Sequence, residues 1–394
     1  MRKLGSLDLL ISIALVATLY GQSLVGLEVT GPAAGAVAMG LLVIRGLFST
    51  PLPENSPSPQ RRRLAALLGG LALFWCTSIS MIHWLDRAPT VHDLGLLGLE
   101  CGAPLILVAQ GQRRSLLYTL GLVCTLIALA DAVFNAAVLN GWTYPIALAQ
   151  RVTEFGEIAR YPGLSGNTLA AGSTAMVACI FLGERAASGR AVGKFIALLA
   201  LAAIFLDLQL IDARRYLAAS AGAVAIMVIP WLRRRFPIFG LTLVLACAGL
   251  WFSFSSHDVE EILRGDLMAE GWRDAQGVLW LGQGVMYRPP PAGGSHQALW
   301  EAGVTESGFV DLILKFGLLG TGLFVLCILI AICSRGRKKS MSSVLVAAFA
   351  GMLPYSDFFT GFFGAIAFFT ALLVVIFEEP MTSRPMASAF LLPA

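Results

Sequence analysis

Long apolar runs recur from one end of this chain to the other, and no other sequence feature limits its fold so strongly. Each run covers about 17–25 residues, the length an α-helix needs to cross a hydrocarbon core of roughly 30 Å. Backbone groups find no water inside a bilayer, so only helices or a closed barrel can span one. A barrel would show short alternating segments, whereas these runs are continuous. The 394 residues are 57% hydrophobic and 13% charged, with mean hydropathy +0.76. Soluble domains carry about 25% charge. The chain therefore reads as a single all-α polytopic membrane domain over residues 1–394, with the lipid bilayer as its solvent and no sign of a nucleic acid partner.

The runs predict about 12 transmembrane helices, at 7–27, 33–49, 64–82, 94–110, 115–139, 167–183, 191–211, 216–232, 236–253, 307–333, 341–355 and 360–377. The first follows Arg2-Lys3 without a small-residue cleavage site, so it reads as a retained helix and not a removed signal peptide. The net charge of +4 is distributed in basic clusters: Arg2-Lys3, Arg61 to Arg63, Arg113-Arg114, Arg185 to Lys194, Arg233 to Arg235 and Arg335 to Lys339. Alternating the helices from a cytoplasmic N-terminus places every cluster, and the C-terminus, on the cytoplasmic side, as the positive-inside rule requires. The seven cysteines lie within or at the end of apolar runs, so neither a disulfide framework nor a metal cluster is expected.

The polar stretch Arg151 to Gly172 interrupts this pattern where a membrane helix should begin. The largest outer loop, 254–306, begins with a helical pattern at 257–282 that suits an amphipathic helix on the membrane surface. Gly265 and Gly271 weaken that helix toward two short pieces. A Gly/Pro strap carrying His296 follows and leads to Thr305-Glu306-Ser307-Gly308.

Lysine is almost absent from the outer loops, but Arg87, Arg151, Arg160, Arg214, Arg215, Arg264, Arg273 and Arg288 all fall there. An arginine fork matches phosphate and carboxylate oxygens in two-pronged geometry. As a set these arginines suggest a site for a lipid-linked phosphate or pyrophosphate. Individually each also fits an interfacial anchor or a partner for Glu154, Glu157, Asp212 or Asp274. Asn167 or Thr168 can cap the helix that follows, and the same helix N-terminus can hold an anion; the two roles are compatible. His296 and Glu306 are the candidates for proton transfer, weighed against a solvated strap histidine and a helix-starting glutamate. No histidine pair has metal-ligand spacing, so no metal site is expected. Of the acids within apolar runs, Asp131 with Asn135 fits a buried interhelical hydrogen bond or a proton relay, and Asp207 is placed to orient Arg214 or Arg215.

Four features in order resemble the O-antigen ligase/polymerase superfamily of bacterial envelope glycosyltransferases. They are Arg160 to Thr168 leading into a helix, Asp212 to Tyr216, Trp272-Arg273 with Leu281-Gly282-Gln283-Gly284, and Glu306 to Phe309 with Lys315 to Gly320. The resemblance covers residues 140–330. It departs from the ligases, which often carry His-Asn where this chain has Glu306-Ser307, and that tilts it toward the polysaccharide polymerases. It implies a GT-C-like fold and an inverting, metal-independent transfer without cofactor, on the periplasmic face of the inner membrane. The implied donor is a glycan on undecaprenyl pyrophosphate, with chain-length regulator and export proteins as implied partners. Arg160, Arg215 and Arg273, assisted by Arg214 and Asn167, would bind the pyrophosphate. Glu306, or else His296, would take the acceptor proton. An O-antigen ligase, a transporter of lipid-linked saccharide and a scaffold of an export complex are the rival readings.

Overall fold

The computed structural model describes residues 5–25, 30–48, 70–71, 74–75, 77–81, 98–110, 112–142, 163–255, 259–284, 307–333, 339–356 and 362–378. Among them are helices and turns but no strand. Four helices are long and apolar enough to cross a membrane: Arg113–Leu139, Thr168–Ser188, Ala191–Leu210 and Gly308–Cys333. The protein is all-α, with the character of a membrane protein.

In chain order the helices are α1 (Ser6–Val25), α2 (Thr30–Phe48), α3 (Ala103–Ala109) and α4 (Arg113–Leu139). Then come α5 (Thr168–Ser188), α6 (Ala191–Leu210), α7 (Arg214–Val228), α8 (Pro230–Arg235) and α9 (Ile238–Ser255). The last are α10 (Val259–Gly277), α11 (Gly308–Cys333), α12 (Met341–Met352) and α13 (Phe362–Leu373). Much of helix 64–82 lies outside the described residues, and the 94–110 run is a π turn, Gly98–Gly102, feeding the short α3.

Of the four long helices, α5 is the most enclosed and α6 the most exposed: 83% of the α5 membrane window is buried in the protein, against 28% for α6. Sequence explains the contrast. Ala170, Ala171, Gly172, Ser173, Ala175 and Ala178 are small, so α4 and α7 approach α5 closely, the usual way helices associate where lipid removes the hydrophobic drive. Helix α6 instead shows Val192, Phe195, Ile196, Leu199 and Leu206 to its surroundings.

Three segments differ from the sequence expectation. The run 216–232 is two helices: α7 ends at Val228 and Pro230 opens α8, because proline lacks an N–H and cannot continue the preceding turns. Helix α10 passes through Gly265 and Gly271 as one piece. It buries Met268, Gly271 and Ala275, and Ala275 packs against Val310, Ile313 and Leu314 of α11. Its second half thus rests on protein; the side chains of Val259, Ile262, Leu263 and Leu267 lie outside the described residues. Finally, α11 is broken at Gly317, where φ is +63°.

Candidate functional site

Of the predicted site residues, Asn167, Arg214, Arg215 and Arg273 lie among the described residues; Arg160, His296 and Glu306 lie outside them. Ser307, next to Glu306, is described and buried. All four histidines lie outside the described residues. Among the described residues no three His, Cys, Asp or Glu side chains gather in a metal-binding arrangement.

The described part of the polar stretch is held by one buried acid, Asp131, with a second, Asp207, close by. Gly163–Ser165 forms a 3-10 turn, and the Leu164 N–H donates to Asp131 Oδ1 at 2.7 Å. The Tyr20 hydroxyl of α1 donates to Asp131 Oδ2 at 2.6 Å. Beside this pair, Asn135 Nδ2 donates to Asp207 Oδ1 at 2.7 Å. Asp131 therefore makes the interhelical hydrogen bond expected of it and also anchors the turn. Asp207 is spent on Asn135 and does not orient the arginines, a correction to the sequence expectation. Asn167 is the N-cap of α5, its side chain accepting from Leu169 N at 2.8 Å and Ala170 N at 3.4 Å. This satisfies donors that the helix itself leaves open.

The first turn of α7 packs against the first turns of α5. A Cβ at Gly172 would lie 2.5 Å from Tyr216 Cδ2, so only glycine admits the Tyr216 ring there. The two arginines before Tyr216 have different fates. Arg214 Nε donates to Asp212 Oδ1 at 2.8 Å, and its side chain stays 39% exposed. Asp212 adopts φ +55°, which aspartate tolerates better than most residues. Arg215 points inward: it is buried, donates to the Tyr355 carbonyl and stands 5.7 Å over the Tyr355 ring.

Tyr355 belongs to the turn Leu353-Pro354-Tyr355-Ser356 that ends α12. Its four carbonyls all receive donors, as buried backbone groups require. Phe309 N donates to Leu353 O at 3.1 Å, Ser307 Oγ to Pro354 O at 2.7 Å, Arg215 to Tyr355 O, and Gly308 N to Ser356 O at 3.3 Å. The Arg214-Arg215 and Ser307-Gly308-Phe309 elements therefore meet on one turn. Sequence reasoning missed Tyr355; Pro354 after an apolar run is the signal that a helix ends there.

The Gly282-Gln283-Gly284 element meets the same helix lower down. At the Gly317 break, α11 exposes the carbonyls of Leu314, Lys315 and Phe316. Gln283 N donates to Leu314 O at 2.7 Å, Gly284 N to Lys315 O at 2.6 Å, and Trp75 Nε1 to Phe316 O at 3.0 Å. Leu318 N donates back to Leu279 O at 2.7 Å. Gly282 has φ +74° and a Cβ there would lie 2.5 Å from Gly317 N, so the two backbones touch only because both residues are glycine. Just before the break, Lys315 Nζ pairs with Asp311 Oδ2 at 2.8 Å, both side chains buried. Arg273, near the end of α10 and ahead of this lock in the chain, is exposed.

The four sequence elements thus form a chain of contacts: Asn167 to Gly172 on Tyr216, Arg215 with Ser307 on the 353–356 turn, and Gly282 to Gly284 on Gly317. Comparison with protein-family models, curated proteins and solved structures finds no match for this chain.

Proposed function

We propose that the protein is a membrane glycosyltransferase that polymerises repeat units carried on undecaprenyl pyrophosphate, with about twelve spans in a GT-C-like arrangement in a bacterial inner membrane. The observation that carries the proposal is the convergence of the described parts of four separate sequence elements at one end of the bundle, the end opposite the described basic residues Arg113-Arg114, Arg185, Lys194 and Arg233 to Arg235. A transferase of this kind needs cations for a leaving pyrophosphate and a base for an acceptor hydroxyl within one site.

In the proposed reaction the acceptor hydroxyl oxygen attacks the anomeric carbon from the face opposite the pyrophosphate. The bond from that carbon to the pyrophosphate oxygen breaks, and its electron pair leaves with the pyrophosphate. Glu306 takes the acceptor proton, with His296 as the alternative base. The burial of Arg215 changes the division of labour among the arginines. Its Nη1 donates to the Tyr355 carbonyl, so Arg215 is a positioning residue that holds the 353–356 turn on which α11 begins. Arg160, Arg214 and Arg273 are left as the pyrophosphate ligands, with α10 as a cover resting on α11.

The broken α11 raises the transporter reading, since transporters bind ions at broken helices. Here protein donors occupy the carbonyls of Leu314, Lys315 and Phe316, which removes that reason to prefer it.

The test is glycan analysis of a deletion strain complemented with the parent or with Arg160→Ala, Arg273→Ala or Glu306→Gln chains. Loss of long polymer with accumulation of single lipid-linked repeats is the expected result. Long chains stranded on the carrier with bare lipid A core would make the protein a ligase. Full polymer output from all three variants at parental protein levels would overturn the transferase reading.

A further inference from the structure

The opposite end of the bundle carries a second feature that glycosyl transfer does not use. A cavity of about 750 Å³ opens there, lined by Arg114, Lys194, Arg233, Arg234 and Lys339, with Glu184 the single acid in its wall. These residues come from the start of α4, the end of α5, the start of α6, α8 and the segment before α12. Clustered charge alone would follow from the positive-inside rule. Two observations go further. The charges surround a concavity instead of spreading over a surface. The one carboxylate is also committed elsewhere: Tyr118 donates its hydroxyl to Glu184 Oε2, and Met341 N donates to Oε1 at 3.3 Å. Glu184 therefore caps α12 and holds Tyr118, leaving an excess of positive charge around the space.

Part of the lining is apolar, from Ala186, Ala187, Val228 and Pro230. Trp231, on the same short helix as Arg233 and Arg234, is exposed, as are Val192, Phe195 and Ile196 around Lys194. An exposed tryptophan beside cations and apolar side chains is the composition of a membrane-water boundary. Basic pockets between membrane helices at that level take lipid phosphate groups.

We propose that this cavity is a binding site for a phosphate group, of an anionic phospholipid headgroup or of a soluble phosphate, at the end of the bundle remote from the transfer site. Arginine forks grip phosphate oxygens in pairs, and Lys194 and Lys339 add point charge. Lys339 also donates to the Phe236 carbonyl, and Arg233 to the Ala187 carbonyl at 3.1 Å. Those two residues hold the cavity wall, so they are poor test positions. Lys194 and Arg234 make no side-chain hydrogen bond or ion pair among the described residues, and their removal leaves the wall intact.

The experiment uses the full chain purified in neutral detergent. Binding of short-chain phosphatidylglycerol, short-chain phosphatidylcholine and inorganic pyrophosphate is measured by thermal shift and by native mass spectrometry. Phosphatidylglycerol should bind more tightly than phosphatidylcholine, and K194Q/R234Q should weaken it about 30-fold. The variant should keep the parental melting temperature without lipid, which separates lost binding from lost fold. Competition by pyrophosphate would assign the site to soluble phosphate; saturable phosphatidylglycerol binding that pyrophosphate leaves unchanged would assign it to the headgroup. Equal binding of the two lipids with no pyrophosphate binding, or parental affinity for both phosphate probes in K194Q/R234Q, would overturn the proposal. None of these readouts depends on the transferase reading.

Discussion

The two ends of this bundle are built in opposite ways. At the end with the four sequence elements, backbone lies against backbone: glycines let chains touch, and carbonyls of a turn and of a helix break receive backbone N–H groups and the side chains of Arg215, Ser307 and Trp75. At the other end, charged side chains ring an open cavity. Backbone contacts fix positions to fractions of an ångström because protein interiors are close-packed and resist small shifts. Flexible charged side chains fix only the sign of what can enter. Under the proposed function, the first end holds a reacting geometry, whereas the second needs only to attract. Substitutions in the backbone contacts of the first end should therefore damage the fold, and those of Lys194 and Arg234 at the second, which hold no wall contact among the described residues, should leave it alone.

The strongest way to break this contrast is at Gly317. An alanine there would need φ +63° and would drive its Cβ into the Trp280 carbonyl. Gly317→Ala should cost more than about 3 kcal/mol, read as a lower melting temperature in detergent and reduced accumulation in membranes. Gly322, in the same helix, has nothing within 4 Å of its Cβ position. Gly322→Ala should be neutral or stabilising by up to about 1 kcal/mol. Equal melting of the two variants would mean that the break is not a fixed part of the fold.

Asp131 comes next. Asp131→Ala strands the Leu164 N–H and the Tyr20 hydroxyl without their acceptor, and should cost about 2–3 kcal/mol. Tyr20→Phe removes a donor but leaves Asp131 its Leu164 bond, and should cost about 1 kcal/mol. The double variant should cost less than the sum, because both changes break the same bond. Strict additivity of the melting shifts would mean that the Tyr20 bond does not support the turn.

The neighbouring arginines sharpen the comparison within the site itself. Lysine cannot reproduce a planar guanidinium stacked on a ring, so Arg215→Lys should lower stability by about 1–2 kcal/mol. Arg214→Lys should stay within about 0.5 kcal/mol of the parent. Under the proposed function both reduce polymer output. Arg214→Lys should do so at parental protein levels and with weakened donor use, the signature of a ligand. The reverse pattern would exchange their roles.

That exchange of roles is where the sequence stopped being informative. The helices were legible because apolar length and caps are local properties: α4, α5, α6 and α9 lie within a few residues of their predicted bounds. Asn167 was legible as a cap for the same reason. Which way Arg214 and Arg215 point was not, because adjacent helix residues diverge by about 100° and the partner turn lies some 140 residues further on. The partner of Asp207 was hidden likewise, since Asn135 is 72 residues away. The break at Gly317 was invisible because Lys315-Phe316-Gly317-Leu318-Leu319-Gly320 reads as an ordinary membrane helix; only the approach of Gly282 and Gly284 makes the break stable. The Gly282-Gln283-Gly284 element is legible in the sequence only as a motif of a resembling family. Its structural meaning is the lock on α11.

The smallest predicted effect compares one helix cap at each end. Asn167 caps α5 at the site end, and Ser340 caps α12 beside the basic cavity, in a reciprocal arrangement with Ser343. Removing either side chain exposes the same kind of open N–H, so Asn167→Ala and Ser340→Ala should each cost about 1 kcal/mol. Their consequences for polymer output should still differ. Ser340→Ala should lower output only as far as it lowers protein level. Asn167→Asp is the more informative change. Aspartate caps as well as asparagine does, so the melting temperature should hold. It also places a negative charge where the proposed pyrophosphate binds, so output per protein should fall about tenfold or more. If Asn167→Asp keeps both stability and output, Asn167 is a cap alone and the anion lies elsewhere, nearer Arg273. If it keeps stability and loses output, the start of α5 faces the departing pyrophosphate. The difference between the two ends of the molecule then holds even between two caps of equal strength.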